Sequence, residues 1–406
     1  MRYRIFFAIT LISAIFACQD HKKDIGLSEK ISIDPTNTQN IKRSQIFSLN
    51  RIIQLENHPE AAIGQTQSGF DLVPGKKFIL VSSSNVSLYD YSGNFQYNIS
   101  KMGRGPGEYI TNSEILLCKN KFRMLDRTQK KIINFELDGA FLNEYPLVTF
   151  AQSFICQNDY TIIYIGNAPN EFNKRLFLYD NEFVMLDSYF SIGKNHEQYL
   201  NVFDKTNFFV FLDSLRFLNA FDYNIYNVDI INNSFDIEPR YYLEFGEYET
   251  PESYFNKEFS NIKEFITTLE KSNYAFYIQG FIETEDNIYF SFSYSELNNR
   301  YLAIYSKQSK NAIVVDKIID DIIFDGLKFC SVFDEFLSYY YSNNQIYFVM
   351  DAYNFVNNMR DLKGTMSEKE WEKYKIKNVE IIKLYDETDK FDNPLIFIFD
   401  LKPFII

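Results

Sequence analysis

The feature that most constrains this chain is a tight turn that returns along its length. Tyr91-Ser92-Gly93-Asn94-Phe95, Leu137-Asp138-Gly139-Ala140-Phe141, Tyr179-Asp180-Asn181-Glu182-Phe183 and Ile231-Asn232-Asn233-Ser234-Phe235 share one frame. Each has a strand-like start, polar residues around a glycine or asparagine, and then an aromatic. Glycine and asparagine best tolerate the left-handed backbone of a hairpin turn. In the third copy Asn181 stands in the glycine's place. The copies lie about 40 to 50 residues apart, the length of one four-stranded unit of a radial repeat. A fifth unit fits Phe281 to Ile319, with its turn near Ser306 to Asn311, and a sixth runs from Tyr339 to the C-terminus.

Between the turns lie short apolar runs rich in aromatic and β-branched residues, such as Phe122–Leu125, Ile288–Phe292 and Ile346–Met350. These favour strands. The expected fold is therefore all-β: a six-bladed β-propeller of four-stranded antiparallel blades. The last unit stops at Leu395–Leu401, its third strand, while Ile46–Leu55 alternates in part before the first full unit. The early segment is expected to supply the missing outer strand, closing the ring so that every blade has a neighbour on both faces.

Two segments break the pattern and predict short helical insertions. Thr250 reads as an N-cap with Pro251 at the first helical position. Phe255, Phe259, Ile262, Ile266 and Leu269 then recur at spacings of three and four, on one face. Ser367-Glu368-Lys369-Glu370 is a capping box ahead of Trp371 and Tyr374. Both read as packing elements between strands; a lid over the central channel is the alternative for the first.

The start of the chain reads as an address. Arg2 and Arg4 precede the apolar run Ile5–Phe16, which is too short to span a bilayer. The run ends at Ile15-Phe16-Ala17-Cys18 and turns polar at once, a pattern similar to a bacterial lipobox, in which the cysteine is lipidated. The division is then 1–17 signal peptide, 18–43 flexible tether rich in Asn, Ser, Thr and Asp, and 44–406 propeller domain. The remaining cysteines, Cys118, Cys156 and Cys330, are isolated and lack CxxC spacing, so they read as three small core residues rather than a disulfide framework or zinc site. The net charge of -13 argues against nucleic acid, since no basic patch offers counterion release.

Met102-Gly103-Arg104-Gly105-Pro106-Gly107-Glu108-Tyr109 is the densest glycine stretch. A phosphate cradle needs Gly-Lys-Ser/Thr or a dinucleotide glycine pattern at the mouth of a helix. Here Pro106 interrupts the loop and strand-like sequence follows. It reads instead as a crossover between blades, with Arg104, Glu108 and Tyr109 as candidate rim contacts for a partner.

With these residues in view, the chain resembles the six-bladed β-propeller lipoproteins of Bacteroidetes, relatives of the NHL-type propellers. The resemblance rests on Cys18, on the turns at Gly93 and Gly139, on Gly103–Tyr109 and on Asp392-Asn393-Pro394-Leu395-Ile396. It implies a lipoprotein on the surface or periplasmic side of the outer membrane, and it carries over no catalytic residues.

Candidate chemistry is sparse. His21, His58 and His196 are far apart, and no Gly-x-Ser-x-Gly elbow marks a nucleophile. The acids around Asp316–Asp325 lack calcium-loop spacing. The expectation is a monomeric domain without cofactor, metal or catalytic residues, held to the membrane by its lipid and binding a protein or a glycan. Tyr-rich loops such as Tyr339–Tyr341 and Tyr241–Tyr242 are further candidates for contact, although alternating aromatics usually belong to a core. The alternative is a propeller enzyme, a metal-assisted lactonase or a glycan lyase or hydrolase, with acids converging on the channel.

Overall fold

The computed structural model describes residues 28–63, 71–75, 78–82, 85–100, 102–147, 149–193, 207–326, 329–331, 339–342 and 344–405. Cys18, His21 and His196 lie outside them. The protein is mostly β. Three strands come first, β1 (Glu29–Ser32), β2 (Thr38–Lys42) and β3 (Phe47–Gln54). The remaining strands fall into six sheets. The first holds β4 (Asp71–Pro74), β5 (Phe78–Ser82), β6 (Val86–Asp90) and β7 (Phe95–Ser100). The second holds β8 (Glu114–Cys118), β9 (Lys121–Asp126), β10 (Lys131–Glu136) and β11 (Phe141–Pro146). The third holds β12 (Ser153–Gln157), β13 (Tyr160–Tyr164), β14 (Lys174–Tyr179) and β15 (Met185–Ser191). The fourth holds β16 (Phe208–Phe211), β17 (Ser214–Leu218), β18 (Asn224–Ile231) and β19 (Ser234–Glu244). The fifth holds β20 (Ala275–Glu283), β21 (Asn287–Tyr294), β22 (Glu296–Ser306) and β23 (Asn311–Ile319), with β24 (Phe329–Ser331) on the last of these. The sixth joins β25 (Tyr339–Ser342), β26 (Gln345–Met350) and β27 (Leu395–Leu401) to β3.

Apolar side chains fill the space between consecutive sheets. Val73, Val86 and Leu88 of the first sheet meet Ile115, Phe122 and Met124 of the second. Equivalent clusters join the second to the third, the third to the fourth, the fourth to the fifth and the fifth to the sixth. The sixth sheet, through Tyr347, Ile396 and Ile398, packs on Leu72, Ile79, Val81 and Tyr89 of the first. Each fully buried Phe, Ile or Leu contributes about 1.5–3 kcal/mol, so these seams dominate the stability.

β3 pairs antiparallel with β27, from Gln54 opposite Leu395 to Phe47 opposite Leu401. The Asp392–Asn393 pair fastens this junction. Asn393 accepts from the Ile63 amide at 2.9 Å and donates to the carbonyls of Glu56 at 2.7 Å and Ala61 at 3.1 Å. Asp392 accepts from the Asn57 side chain at 2.5 Å.

Four sequence expectations are corrected. The first concerns the tether: within 18–43, β1 lies parallel on the outer edge of β19 and β2 parallel on β23. Edge pairing uses backbone groups and needs few apolar residues, here Ile31, Ile33 and Ile41, so a polar composition conceals it. Second, the third turn is built two residues later than the motif suggested. Phe183, not Asn181, takes the left-handed backbone, at φ +62°, and its ring stacks on Tyr145 and Tyr179. The glycines at 93 and 139 do take it, at +87° and +85°.

Third, the first helical insertion is split. Pro251, not Thr250, is the N-cap of a single turn, Glu252–Phe255, and Asn261 caps a second helix, Ile262–Glu270. The other insertion is longer than expected. Its capping box at Ser367 and Glu370 is present, but helices cover Ala352–Thr365, Glu368–Lys377 and Val379–Glu387. Fourth, Cys118 and Cys156 form a disulfide between the second and third sheets. They are one structural unit apart in sequence, which brings equivalent ends of neighbouring sheets together. Tyr241 and Tyr339–Tyr341 lie in strands rather than loops.

Candidate functional site

The glycine loop between β7 and β8 spends its hydrogen-bonding groups on itself. The amide of Gly103 donates to the Tyr109 carbonyl at 2.9 Å, and that of Glu108 to the Gly105 carbonyl at 3.0 Å. The Gly105 amide donates to Glu108 Oε2 at 2.8 Å and the Gly107 amide to Glu144 Oε2 at 3.3 Å. A Cβ at Gly103 would sit 2.0 Å from Glu108 Oε2, so a larger residue would push that carboxylate off the Gly105 amide. Gln129 donates to the carbonyls of Gly103 and Glu108, closing the loop from below. Tyr109 is 1 % exposed, and burial pushes its phenol up to about 12. A phosphate would meet committed amides and two carboxylates here, and no helix follows. Of the three candidate contacts, Glu108 and Tyr109 build the loop, while Arg104 is exposed and has no ion-pair partner among the described residues.

The deeply buried acids are likewise engaged. Asp126 accepts from the amides of Ile110 and Gln129 at 2.7 and 2.9 Å, and from the side chains of Gln129 and Thr111. Asp320 receives the Arg43 guanidinium at 2.7 Å, which also lies over the rings of Phe348 and Phe399. Glu283 receives Arg216 Nε at 2.7 Å, Lys307 Nζ at 2.8 Å and the Tyr241 hydroxyl at 2.6 Å. Burial pushes Glu283 and Asp126 up. Hydrogen bonds, and for Glu283 the adjacent Arg216 charge, outweigh it, so both carboxyls lie below their ordinary values. A general acid at neutral pH needs the opposite shift. Among the described residues, no three His, Cys, Asp or Glu side chains are grouped to hold a metal ion.

One open feature among the described residues is a cleft of about 490 Å³ where three hairpin turns meet the segment after β27. Val210 and Phe211 come from the end of β16 and Leu212 from the turn that follows it; Thr284, Glu285 and Asp286 come from the β20–β21 turn. Tyr341 and Asn344 flank the β25–β26 turn, and Leu401, Lys402 and Pro403 complete the wall. Its size lies in the range of small-ligand and peptide-anchor sites. The carbonyls of residues 402 and 404 are held to the fifth sheet by Tyr289 and Asn287, which fixes that wall. Sequence reasoning missed this site, because its residues come from four places along the chain and form no local motif. The signal that existed was Leu212 in a turn, where a polar residue or glycine is the rule.

Comparison with known proteins gives a family and a fold. A family model described as a domain of unknown function (DUF4934) matches residues 28–400, so the matched unit includes residues 28–43 of the segment read as tether. No curated protein matches the chain. A presumed exported protein of Bacteroides fragilis is similar over 92 % of this chain and 99 % of its own, at 17 % identity and a TM-score of 0.69, which shows a shared fold. A member of the DUF4221 family from Bacteroides vulgatus has 8 % identity and a TM-score of 0.47 over 88 % of this chain and 98 % of its own. BamB from Moraxella catarrhalis has 8 % identity and a TM-score of 0.36 over the same shares. These two likenesses are too weak to carry an inference. No described helix is long and apolar enough to cross a membrane.

Proposed function

This chain belongs to the DUF4934 family of domains, and on that premise we propose that it is an exported β-propeller lipoprotein that binds a protein partner without catalysing a reaction. In this reading the six sheets are blades of a closed ring, with β3 completing the last blade. The apolar contacts from each sheet to the next, and from the sixth back to the first, support it.

Export is supported by the Cys118–Cys156 disulfide, because such bonds persist in oxidising compartments. The apolar run before Cys18 and the similarity to a presumed exported Bacteroides fragilis protein agree with it. Lipidation at Cys18 and an outer-membrane address follow from the same signal. They predict that Cys18→Ser moves the protein from the membrane to the soluble fraction.

The observation that carries the binding role is the cleft, a preformed depression with apolar walls and the exposed carboxylates of Glu285 and Asp286 at its rim. Its two aromatic rings are already engaged, Phe211 beneath Lys307 Nζ and Tyr341 against Phe209, and the aliphatic Val210, Leu212, Leu401 and Pro403 suit a side chain of a protein better than a sugar ring. Arg104, at the opposite end of the strands, offers a second contact. The test is retention of partners from envelope extract by the anchored protein. A protein retained by the natural chain and lost with Leu212→Asp supports the reading. Retention of glycan alone, or turnover of a glycan or lactone by the purified protein, overturns it.

A further inference from the structure

Leu212 and Asp213 form a two-residue turn, with Phe211 paired to Ser214, and both take left-handed backbone at φ +46° and +65°. The equivalent conformation between β18 and β19 is made by Asn232 and Asn233, the residue type suited to it. A bulky side chain is a poor choice for such a position. Leu212 gains little from packing in return, since it is 71 % exposed, and Val210 beside it is 42 % exposed. A residue that is conformationally unfavourable and solvent-exposed at a cleft rim points to a contact made with something else.

Charge identifies the occupant further. Glu285 and Asp286 line the cleft, are exposed, and have no ion-pair partner among the described residues. The lysines nearby are already engaged. Lys307 donates to Glu283 at 2.8 Å and to the Thr284 carbonyl at 2.7 Å, over the Phe211 ring. The Lys402 ammonium donates to the Ser44 carbonyl. Lys402, bonded only to a neutral carbonyl, keeps its charge, so Glu285 and Asp286 leave the described lining net negative beside an aliphatic wall.

We infer that the cleft captures an extended peptide segment of the partner in which an apolar side chain, seated against Leu212 and Val210, is flanked by lysine or arginine held by Glu285 and Asp286. This rests on the protein-binding reading above and names the ligand class for the same site. Charge complementarity of this kind sets specificity and association rate more than raw affinity.

The test uses the full chain and two blocked peptides, Ser-Gly-Lys-Leu-Lys-Gly-Ser and its counterpart with glutamates for lysines, read by calorimetry. The lysine peptide is expected to bind, more weakly as salt rises, and the glutamate peptide not to bind. The double variant Glu285→Gln, Asp286→Asn is expected to lower affinity about tenfold. Leu212→Asn is expected to lower it similarly while leaving the melting temperature unchanged or raised, because asparagine suits the turn. Equal binding of the two peptides overturns the charge assignment, yet leaves the protein-binding reading standing. Failure of both peptides, with an envelope partner still retained by Leu212→Asn, overturns the cleft as the site. A neutral oligosaccharide binding in place of either peptide overturns the ligand class.

Discussion

Two seams of the molecule solve one problem in different ways. Arg123 in β9 stands opposite Asn134 in β10, and Arg216 in β17 stands opposite Asn227 in β18. These are equivalent positions in the second and fourth sheets, both arginines are buried, and both reach into the next sheet. Arg123 donates to Asn134 Oδ1 at 2.8 Å and to the Thr161 hydroxyl of the third sheet, beside the Cys118–Cys156 bond. It meets neutral groups only, and the seam is closed covalently. Arg216 instead donates to Glu283 of the fifth sheet, leaving Asn227 Oδ1 without a hydrogen-bond partner among the described residues. The repeat thus conserves the place of a buried cation within the chain, while what satisfies it varies. The outer edges differ too: β19 and β23 each carry an added strand, whereas β11 and β15 carry none among the described residues.

The largest test of this contrast is Glu283→Ala. It strands Arg216 and Lys307 without their carboxylate, and removing one member of a buried ion pair costs about 3–5 kcal/mol. A steep loss of melting temperature is expected, with hydrogen exchange rising first in the fourth and fifth sheets. Replacing Cys118 and Cys156 together by serine is expected to cost about 2–4 kcal/mol. Reductant should reproduce that loss in the natural chain and do nothing further to the double variant. Acid should discriminate the seams in the opposite sense. The folded-state pKa of Glu283 is depressed, so its stabilisation is complete above the ordinary carboxylate range and is lost as pH falls through the folded value. Stability should therefore hold from neutrality to about pH 5 and fall below about pH 4, less steeply in Glu283→Gln, with the disulfide seam the last to exchange. The smallest effect expected is that of Thr161→Val, which removes one acceptor from Arg123 and costs about 1–2 kcal/mol. If Thr161→Val proves as damaging as Glu283→Ala, the two seams are not the distinct solutions described.

What was legible in the chain was what local backbone chemistry dictates. Gly93, Gly139 and Asn232–Asn233 announce left-handed turns because few residues accept that geometry. The strand at Phe47–Gln54 and the capping box at Ser367 were readable from alternation and from side chains that satisfy helix-end amides. Features set by tertiary contact were not. Phe183 overrides its own backbone preference by stacking between sheets. The disulfide joins cysteines whose proximity exists only once two sheets stand side by side. The cleft gathers residues 210–212, 284–286, 341, 344 and 401–403, and each group alone is an ordinary turn or tail. The glycine loop was found by its glycines, but the use of Glu108 and Tyr109 in its construction depends on Gln129 and Glu144 from the second sheet.

The attachment of β1 to β19 has a mechanical consequence. With Glu29 already in register against Tyr241, only residues 19–28 stand between Cys18 and the folded body. Even fully drawn out, that leash spans no more than about 40 Å. If acyl chains sit on Cys18, the fourth sheet is tethered within that reach of the lipid headgroups.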